Sequence, residues 1–383
     1  MKYRLTCLTP LLVGDGQKLS PVDYMVWKDQ VSVLDQRRIF RLLAKGPRLD
    51  SYLTQLKRAE RLEFASWGGF AQSYAGRRVP FESPACARYW EQARGDSLHI
   101  PTFAAGPAGP YLPGSALKGA LHTAALAAAM DHKALEAVAA QFEGDRPPRR
   151  PAEIAEERRL GLEGSSRMRW LGASDSAPVP ASGFRIYLLR VATLASRGGK
   201  LELGWKTSPR GTVPGGRPEE STPWFAEMAM PGTVFEGAWQ ERGFLESPEV
   251  ARTLHWGHAP TRRAILEAAN SYAARLLAVH REYAALAGLE LVRQSLDELE
   301  TRLAEARSRD DACLLVLGWG AGLLSKVAWT DTGDELYRRL LRRSPLYGAS
   351  VTPGLPFPKT RRVVFVNDRP AALPGWALLE LTA

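Results

Sequence analysis

Residues 111–130, YLPGSALKGALHTAALAAAM, join a turn to a helix. Pro113-Gly114-Ser115 reads as the turn, and the alanine-rich run behind it as a strong helix former. Ser115 is placed to cap that helix, its hydroxyl accepting from a backbone N–H two or three residues on. Lys118 and Gly119 then fall in the first turns. There the helix macrodipole disfavours a cation unless an anion lies nearby. Outward N–H groups, an ammonium and a bare backbone together suit a phosphate. A solvated lysine beside a glycine that only permits close packing leaves the same trace. The stretch is not a nucleotide-triphosphate loop, because that pattern puts the lysine directly after the second glycine. Here Lys118 precedes Gly119. No ATP site is expected.

Working outward, KYRLTCLT (2–9) alternates and reads as a strand. LLVGDGQKL (11–19) follows, with Gly14 and Gly16 allowing tight backbone conformations. DYMVWKDQVSVLD (23–35) predicts a hairpin turning at Lys28-Asp29-Gln30. QRRIFRLLA (36–44) predicts a short helix ended by Gly46-Pro47, and residues 48–63 a second one. Residues 64–110 are rich in Gly and Pro and predict loops with a short helix near 84–93. The segment 115–142 reads as one long helix ended by Gly144, followed by the basic connector RPPRRP (146–151). Strands are predicted at 167–174, 184–195, 200–207, 224–230 and 233–240, with a loop over 208–222. Pro231-Gly232 reads as a hairpin turn between the last two. The period turns helical over 261–308, with a break near Gly288 and charges of both signs along it. Strands return at 312–320, 361–367 and 375–381. Strands at both ends with helices between them predict an α+β fold whose sheet holds both termini.

The chain has 383 residues, 45% hydrophobic and 24% charged, enough for a large core. Its net charge is +10, which favours a polyanionic partner such as nucleic acid. Residues 241–310 carry 10 Lys/Arg against 11 Asp/Glu, so the excess lies elsewhere. Cys7, Cys86 and Cys313 are far apart, which argues against a disulfide framework or a zinc ribbon and fits a reducing cytoplasm. No run of 18 apolar residues suggests a membrane span, and the N-terminus reads as a strand rather than a signal peptide. His255 and His258 form HxxH without an evident third ligand, so no metal site is expected.

Further candidates follow from residue chemistry. LGWGAGLLSKVAW (317–329) places Gly318, Gly320 and Gly322 before Lys326, a second place for a phosphate or a close protein contact. Arg37, Arg38, Arg361 and Arg362 are candidates for phosphate neutralisation. Trp67, Trp205, Trp224, Trp239, Trp319 and Trp329 lie near glycine or basic residues. Aromatic faces beside cations suit single-stranded RNA, although most tryptophans of a globular chain are core or contact residues. For catalysis, His122 lies one turn after Lys118 and could share its helix face. His99, Asp15 and Asp23 are weaker alternatives. The Ser174-Asp175-Ser176 turn reads as structural or interfacial.

Four stretches converge in order: TPLLVGDGQKLSPVDYMVWKDQVSVLD, LPGSALKGALHTAAL, LGWGAGLLSK and FPKTRRVV with LPGWALLEL. Together they resemble the RAMP superfamily of CRISPR effector subunits, and most closely the fifth subunit of the type III-A Csm complex. The resemblance implies a ferredoxin-like, RRM-related core with inserted helical and loop subdomains. The core would be discontinuous, 1–244 and 311–383, with a mixed insertion around 41–110 and a helical insertion over 245–310. It implies a non-catalytic subunit that caps the backbone filament, covers the 3′ portion of the guide RNA and is needed for guide maturation. The implied partners are guide RNA, target RNA, a neighbouring RAMP backbone subunit, the small subunit and recruited host nucleases. Neither a membrane nor a cofactor is implied. The expected RNA contacts are Gly14, Gly16, Arg37, Arg38, Ser115, Lys118, Gly119, Gly320, Gly322, Lys326, Arg361 and Arg362. The chain departs from the family at His122, where arginine commonly follows KGAL. Two alternatives are a RAMP endoribonuclease acting on precursor guide RNA through His122 or His99, and a backbone subunit slicing target RNA at Asp15 or Asp23.

Overall fold

In KYRLTC the residues Tyr3, Leu5 and Cys7 point inward and are buried, while Lys2 and Arg4 stay in solvent. That alternation makes β1 (Lys2–Cys7) the middle of a sheet with one face on the core. The computed structural model describes all residues except 47, 59–72, 144–149, 151–152, 162, 209–213, 257–259 and 383. β1 joins β2 (Leu171–Ala173), β3 (Val234–Glu241), β4 (Ala312–Val316) and β5 (Trp376–Thr382) in the antiparallel order β4-β5-β1-β3-β2. Lys2 faces Thr382, so both termini lie on neighbouring strands, as the sequence predicts.

Three helices pack with this sheet: α1 (Gly114–Ala129), α2 (Arg262–Leu286) and α3 (Glu290–Arg307). α1 lies between β1 and β2 in the chain, and α2 between β3 and β5. With β4 set aside as an added edge strand, the order β5-β1-β3-β2 is the fourth, first, third and second strand of a βαββαβ unit. The ferredoxin-like core is therefore present. Asn270 of α2 clips the edge strand, donating to the Ala312 carbonyl at 3.1 Å and accepting from Leu314 N–H at 2.9 Å. The two helices separate at Gly288, whose φ of 64° suits glycine. Leu276, Leu277, Leu296 and Leu303 bury in the same core cluster as the sheet. The helical segment thus has no core of its own.

A second sheet is built from the connection between β2 and β3 and from the segment before β5. Its long strand Phe184–Arg197 pairs with Trp224–Ala229, Lys200–Lys206 and Thr360–Val366. Phe103 joins the two sheets, stacked on Phe235 of β3 at 5.4 Å and edge-on to Phe184 at 5.1 Å. A hairpin of Tyr24–Trp27 and Gln30–Leu34 turns at Lys28 (φ 55°), as predicted, and Ala75–Pro80 adds a third strand. Behind it the helix Gln36–Leu43 builds a small separate core with Met25, Leu34, Ile39, Leu43 and Tyr52. The helices predicted over 48–63 and near 84–93 occur as Leu49–Arg58 and Pro84–Gln92, with 59–63 outside the described residues.

Three expectations are corrected. The segment 115–142 is two helices, because Asp131 accepts from Ala134 N–H at 2.8 Å and caps a new helix, His132–Ala140. Pro231-Gly232 is not a hairpin turn between paired strands. Trp224–Ala229 belongs to the second sheet and β3 to the first, so the turn carries the chain between sheets. Gly232 holds φ at 85° and its N–H donates to the Cys7 carbonyl at 2.8 Å. The strand expected over 167–174 starts late, because Ser166 caps a 3-10 turn at Arg167–Arg169. The connector 146–151, apart from Arg150, falls outside the described residues, as do Trp67 and His258. All three cysteines are buried and unpaired. No helix among the described residues is long and apolar enough to cross a membrane.

Candidate RNA interface

The start of α1 is held by the chain's own carboxylate. Gly114 N–H donates to Asp175 Oδ1 at 2.8 Å, while Ser115 is exposed and makes no cap. The anion at the positive end of this helix is therefore Asp175, and the cap assigned to Ser115 is corrected. Ser176 Oγ accepts from Leu112 N–H at 2.9 Å, and Ser174 Oγ accepts from Ala238 N–H at 2.8 Å. The Ser-Asp-Ser turn is structural, pinning the segment 112–114 and β3 through their backbone N–H groups. Gly114 has no room for a side chain, since a Cβ would stand 2.3 Å from the Ala173 carbonyl oxygen. Nothing local in the sequence links Asp175 to a helix that begins 61 positions earlier.

Lys118 and Gly119 face different ways. Lys118 is half-buried and makes no ion pair among the described residues. Its burial, and next the nearby Arg242 guanidinium, hold its pKa below the ordinary lysine value. Gly119 instead lines a cleft of about 610 Å³ with Ala116, Ala120 and Thr123 of α1. Across it lie Gly14, Gly16 and Lys18, then Trp319, Ser325 and Lys326. Gly14 is required by close approach, because a Cβ there would meet the Thr102 carbonyl oxygen at 2.8 Å. A Cβ on Gly119 would meet nothing within 4 Å. No carboxylate is among the described residues lining the cleft. Sequence spacing gathers Gly14, Gly16, Gly119 and Lys326 as candidates, and the fold brings these four together. Lys18 was missed because nothing in its own neighbourhood sets it apart from a solvated lysine.

The glycine-rich segment Leu317–Lys326 is the far wall of this cleft. Trp319 N–H donates to the Leu12 carbonyl at 2.7 Å, and Leu317 N–H to that of Gly375 at 2.9 Å. Gly318, with φ at 85°, comes so close that a Cβ would lie 2.3 Å from the Leu12 carbonyl oxygen. Gly320 and Gly322 face a second pocket, of about 340 Å³, with Arg361 and Arg362. Arg362 lies over the Trp319 ring at 4.2 Å, so one cation–π pair stands between the two hollows. Arg361 is not an exposed strand-edge cation, being only 7% exposed. Its guanidinium lies over Tyr283 and donates from Nε to His280 Nδ1 at 3.0 Å.

Other candidates stand apart. Arg37 and Arg38 lie exposed on the helix Gln36–Leu43, beside its own small core, and line neither hollow. His122 is turned to Glu156, Nε2 to Oε1 at 3.0 Å, rather than sharing a site with Lys118. Asp15 accepts from Gln17 N–H at 3.0 Å, and Asp23 accepts from Ser20 N–H at 2.7 Å and its Oγ at 2.6 Å. Both aspartates hold turns. His99 Nδ1 is buried without a hydrogen-bond partner among the described residues. Trp205 and Trp239 are core residues, and among the described candidate tryptophans Trp319 alone lines the cleft.

Residues 4–248 match the RAMP superfamily. The whole chain superposes on a chain of a solved assembly described as the Csm-crRNA-target RNA ternary complex of a type III-A CRISPR-Cas system. The TM-score is 0.68 and the identity 20%, over 99% of this chain and 100% of that one. Against T. onnurineus Csm5 the TM-score is 0.62 and the identity 18%, with the same coverage. At such identities the likeness is one of fold. No curated protein matches the chain. With the matched segment running from β1 through β3 and the fourth-first-third-second strand order in place, the chain belongs to the RAMP superfamily.

Proposed function

We propose that this chain is an RNA-binding subunit of a type III-A CRISPR interference complex that holds the guide RNA without cutting it. It would cap the backbone filament at the 3′ end of the guide and be needed for guide maturation. The observation that carries the reading is the cleft, with bare backbone at Gly14, Gly16 and Gly119 and cations at Lys18 and Lys326. Close backbone approach and mobile ammonium groups suit a sugar-phosphate strand, which needs charge neutralisation more than fixed geometry. Trp319 offers an aromatic face on which a base can stack. Likeness in fold along the full chain to a subunit of an RNA-bound Csm assembly supports it.

The partners on this reading are guide RNA, target RNA, a neighbouring RAMP subunit and the small subunit, with host nucleases recruited for the chemistry. The turn bonds of Asp15 and Asp23, and the Glu156 contact of His122, support a binding rather than a cutting role. The test incubates the purified chain and its assembled complex with repeat RNA and with target RNA, with and without divalent metal. Binding without cleavage is expected. Metal-independent cleavage lost in His122→Ala identifies a processing enzyme instead. Metal-dependent cleavage lost in Asp23→Ala identifies a slicer.

A further inference from the structure

The pocket on the other side of the glycine-rich segment gathers positive charge. Lys206, Lys359, Arg361 and Arg362 all line it, and none of its described lining residues is acidic. Neither Arg361 nor Arg362 has a carboxylate partner among the described residues. Arg361 is buried and Arg362 half-buried, and desolvation pulls the pKa of each below the usual arginine value. Elsewhere the chain matches a buried charge with its opposite. Glu227 takes a fork of two bonds from Arg77, and Arg190 has Glu219 and Asp368 nearby. A buried charge without a counterion is unfavourable.

The donors are also incompletely used. Arg361 donates from Nε to His280 and from Nη1 to the carbonyls of Pro358 and Thr360, which fixes the group and leaves Nη2 without a hydrogen bond among the described residues. Arg362 Nε is buried without a partner. Lys359 is half-buried and reaches Thr352 Oγ1 at 3.3 Å. Tyr347 adds an aromatic wall. A hollow of about 340 Å³ lies at the small end of ligand sites, where a single nucleotide fits.

We propose that this pocket is a nucleotide site, with a phosphate held by Arg361, Arg362, Lys206 and Lys359 and the base against Tyr347. The shared chemistry is a phosphorylated nucleoside, which a free mononucleotide or the end of an RNA strand can each present. The site is separate from the cleft proposed for the guide and does not depend on it.

The test titrates the full chain with adenosine monophosphate, inorganic phosphate and a short oligoribonucleotide with a 3′-terminal phosphate, read by tryptophan fluorescence and thermal shift. Saturable binding of the mononucleotide is expected, with phosphate alone much weaker. Lys359→Gln and Arg362→Gln should each weaken it about tenfold, the loss of one charge-assisted hydrogen bond. Lys359→Gln removes only a half-buried amine and keeps the test valid should Arg362→Gln unfold. Lys18→Glu with Lys326→Glu should leave mononucleotide affinity unchanged while lowering guide retention, so the two sites fail separately. Binding of the oligonucleotide alone, weakened by the same pocket variants, assigns the site to an RNA end. Absence of binding by all three probes, or binding indifferent to Lys359→Gln, overturns the proposal.

Discussion

At position 175 one carboxylate does what a phosphate is expected to do at the start of α1, because Gly114 N–H already donates to it. Asp175→Ala should therefore lower stability by about 1 kcal/mol, the typical loss of a helix cap, with Asp175→Asn losing far less. Urea unfolding of the three proteins measures it, and an unchanged midpoint in Asp175→Ala would remove the cap from the account. Gly119 makes the opposite case. It sits exposed in a helix with open space where a Cβ would be. Gly119→Ala should stabilise the free chain by about 0.5–1 kcal/mol through backbone entropy. The added methyl enters the cleft, so guide retention should fall as stability rises. A rise in both would separate Gly119 from the RNA. His280 supplies a pH dependence. It is buried, and first that burial and then the Arg361 charge hold its pKa well below the ordinary 6.5. The unfolded chain takes up this proton near 6.5 and the folded chain does not, so the neutral imidazole's contribution is complete above 6.5 and is lost as pH falls below it. The slope is up to about 1.4 kcal/mol per pH unit. Urea midpoints at pH 7.5 and 5.5 should diverge more for the wild type than for His280→Gln.

Among the elements, α2 and α3 look in sequence like an insertion, since their charge is balanced while the rest of the chain is basic. Their leucines nevertheless belong to the main core, and Asn270 serves the backbone of β4. Leu296→Ala, at a fully buried position, should cost about 2–5 kcal/mol. Replacing 262–307 by a flexible linker should leave a chain without a cooperative thermal transition, and a sharp transition would show the remainder to be autonomous. What the sequence makes legible here is local. Alternation marks β1 and β5, the break at Gly288 marks the helix pair, and Lys28-Asp29-Gln30 marks the hairpin. What escapes is one local restart and the long-range pairing. Asp131 divides the predicted long helix because a short polar side chain can restart a helix at little cost. Pro231-Gly232 has the residues of a hairpin turn, but sheet membership depends on partners such as Cys7 and Phe184 that lie far away in the chain.

For the molecule as a whole, the glycine-rich wall Leu317–Lys326 decides how the candidates divide. Gly14, Gly16, Gly119 and Lys326 fall on one side, Gly320, Gly322, Arg361 and Arg362 on the other. Arg37, Arg38, Ser115 and Lys118 are on other surfaces. The motifs therefore pick out the loops that line the two hollows better than they say which hollow each residue faces, because a motif names a loop and only packing says which way each residue of it faces. The measurement that tests the central claim most directly is guide-RNA retention by the assembled complex as a function of salt. Wild type is compared with Lys18→Glu plus Lys326→Glu. Two lost phosphate contacts should reduce retention and make the logarithmic salt slope shallower by roughly two. Identical retention and slope in the two complexes would contradict the account.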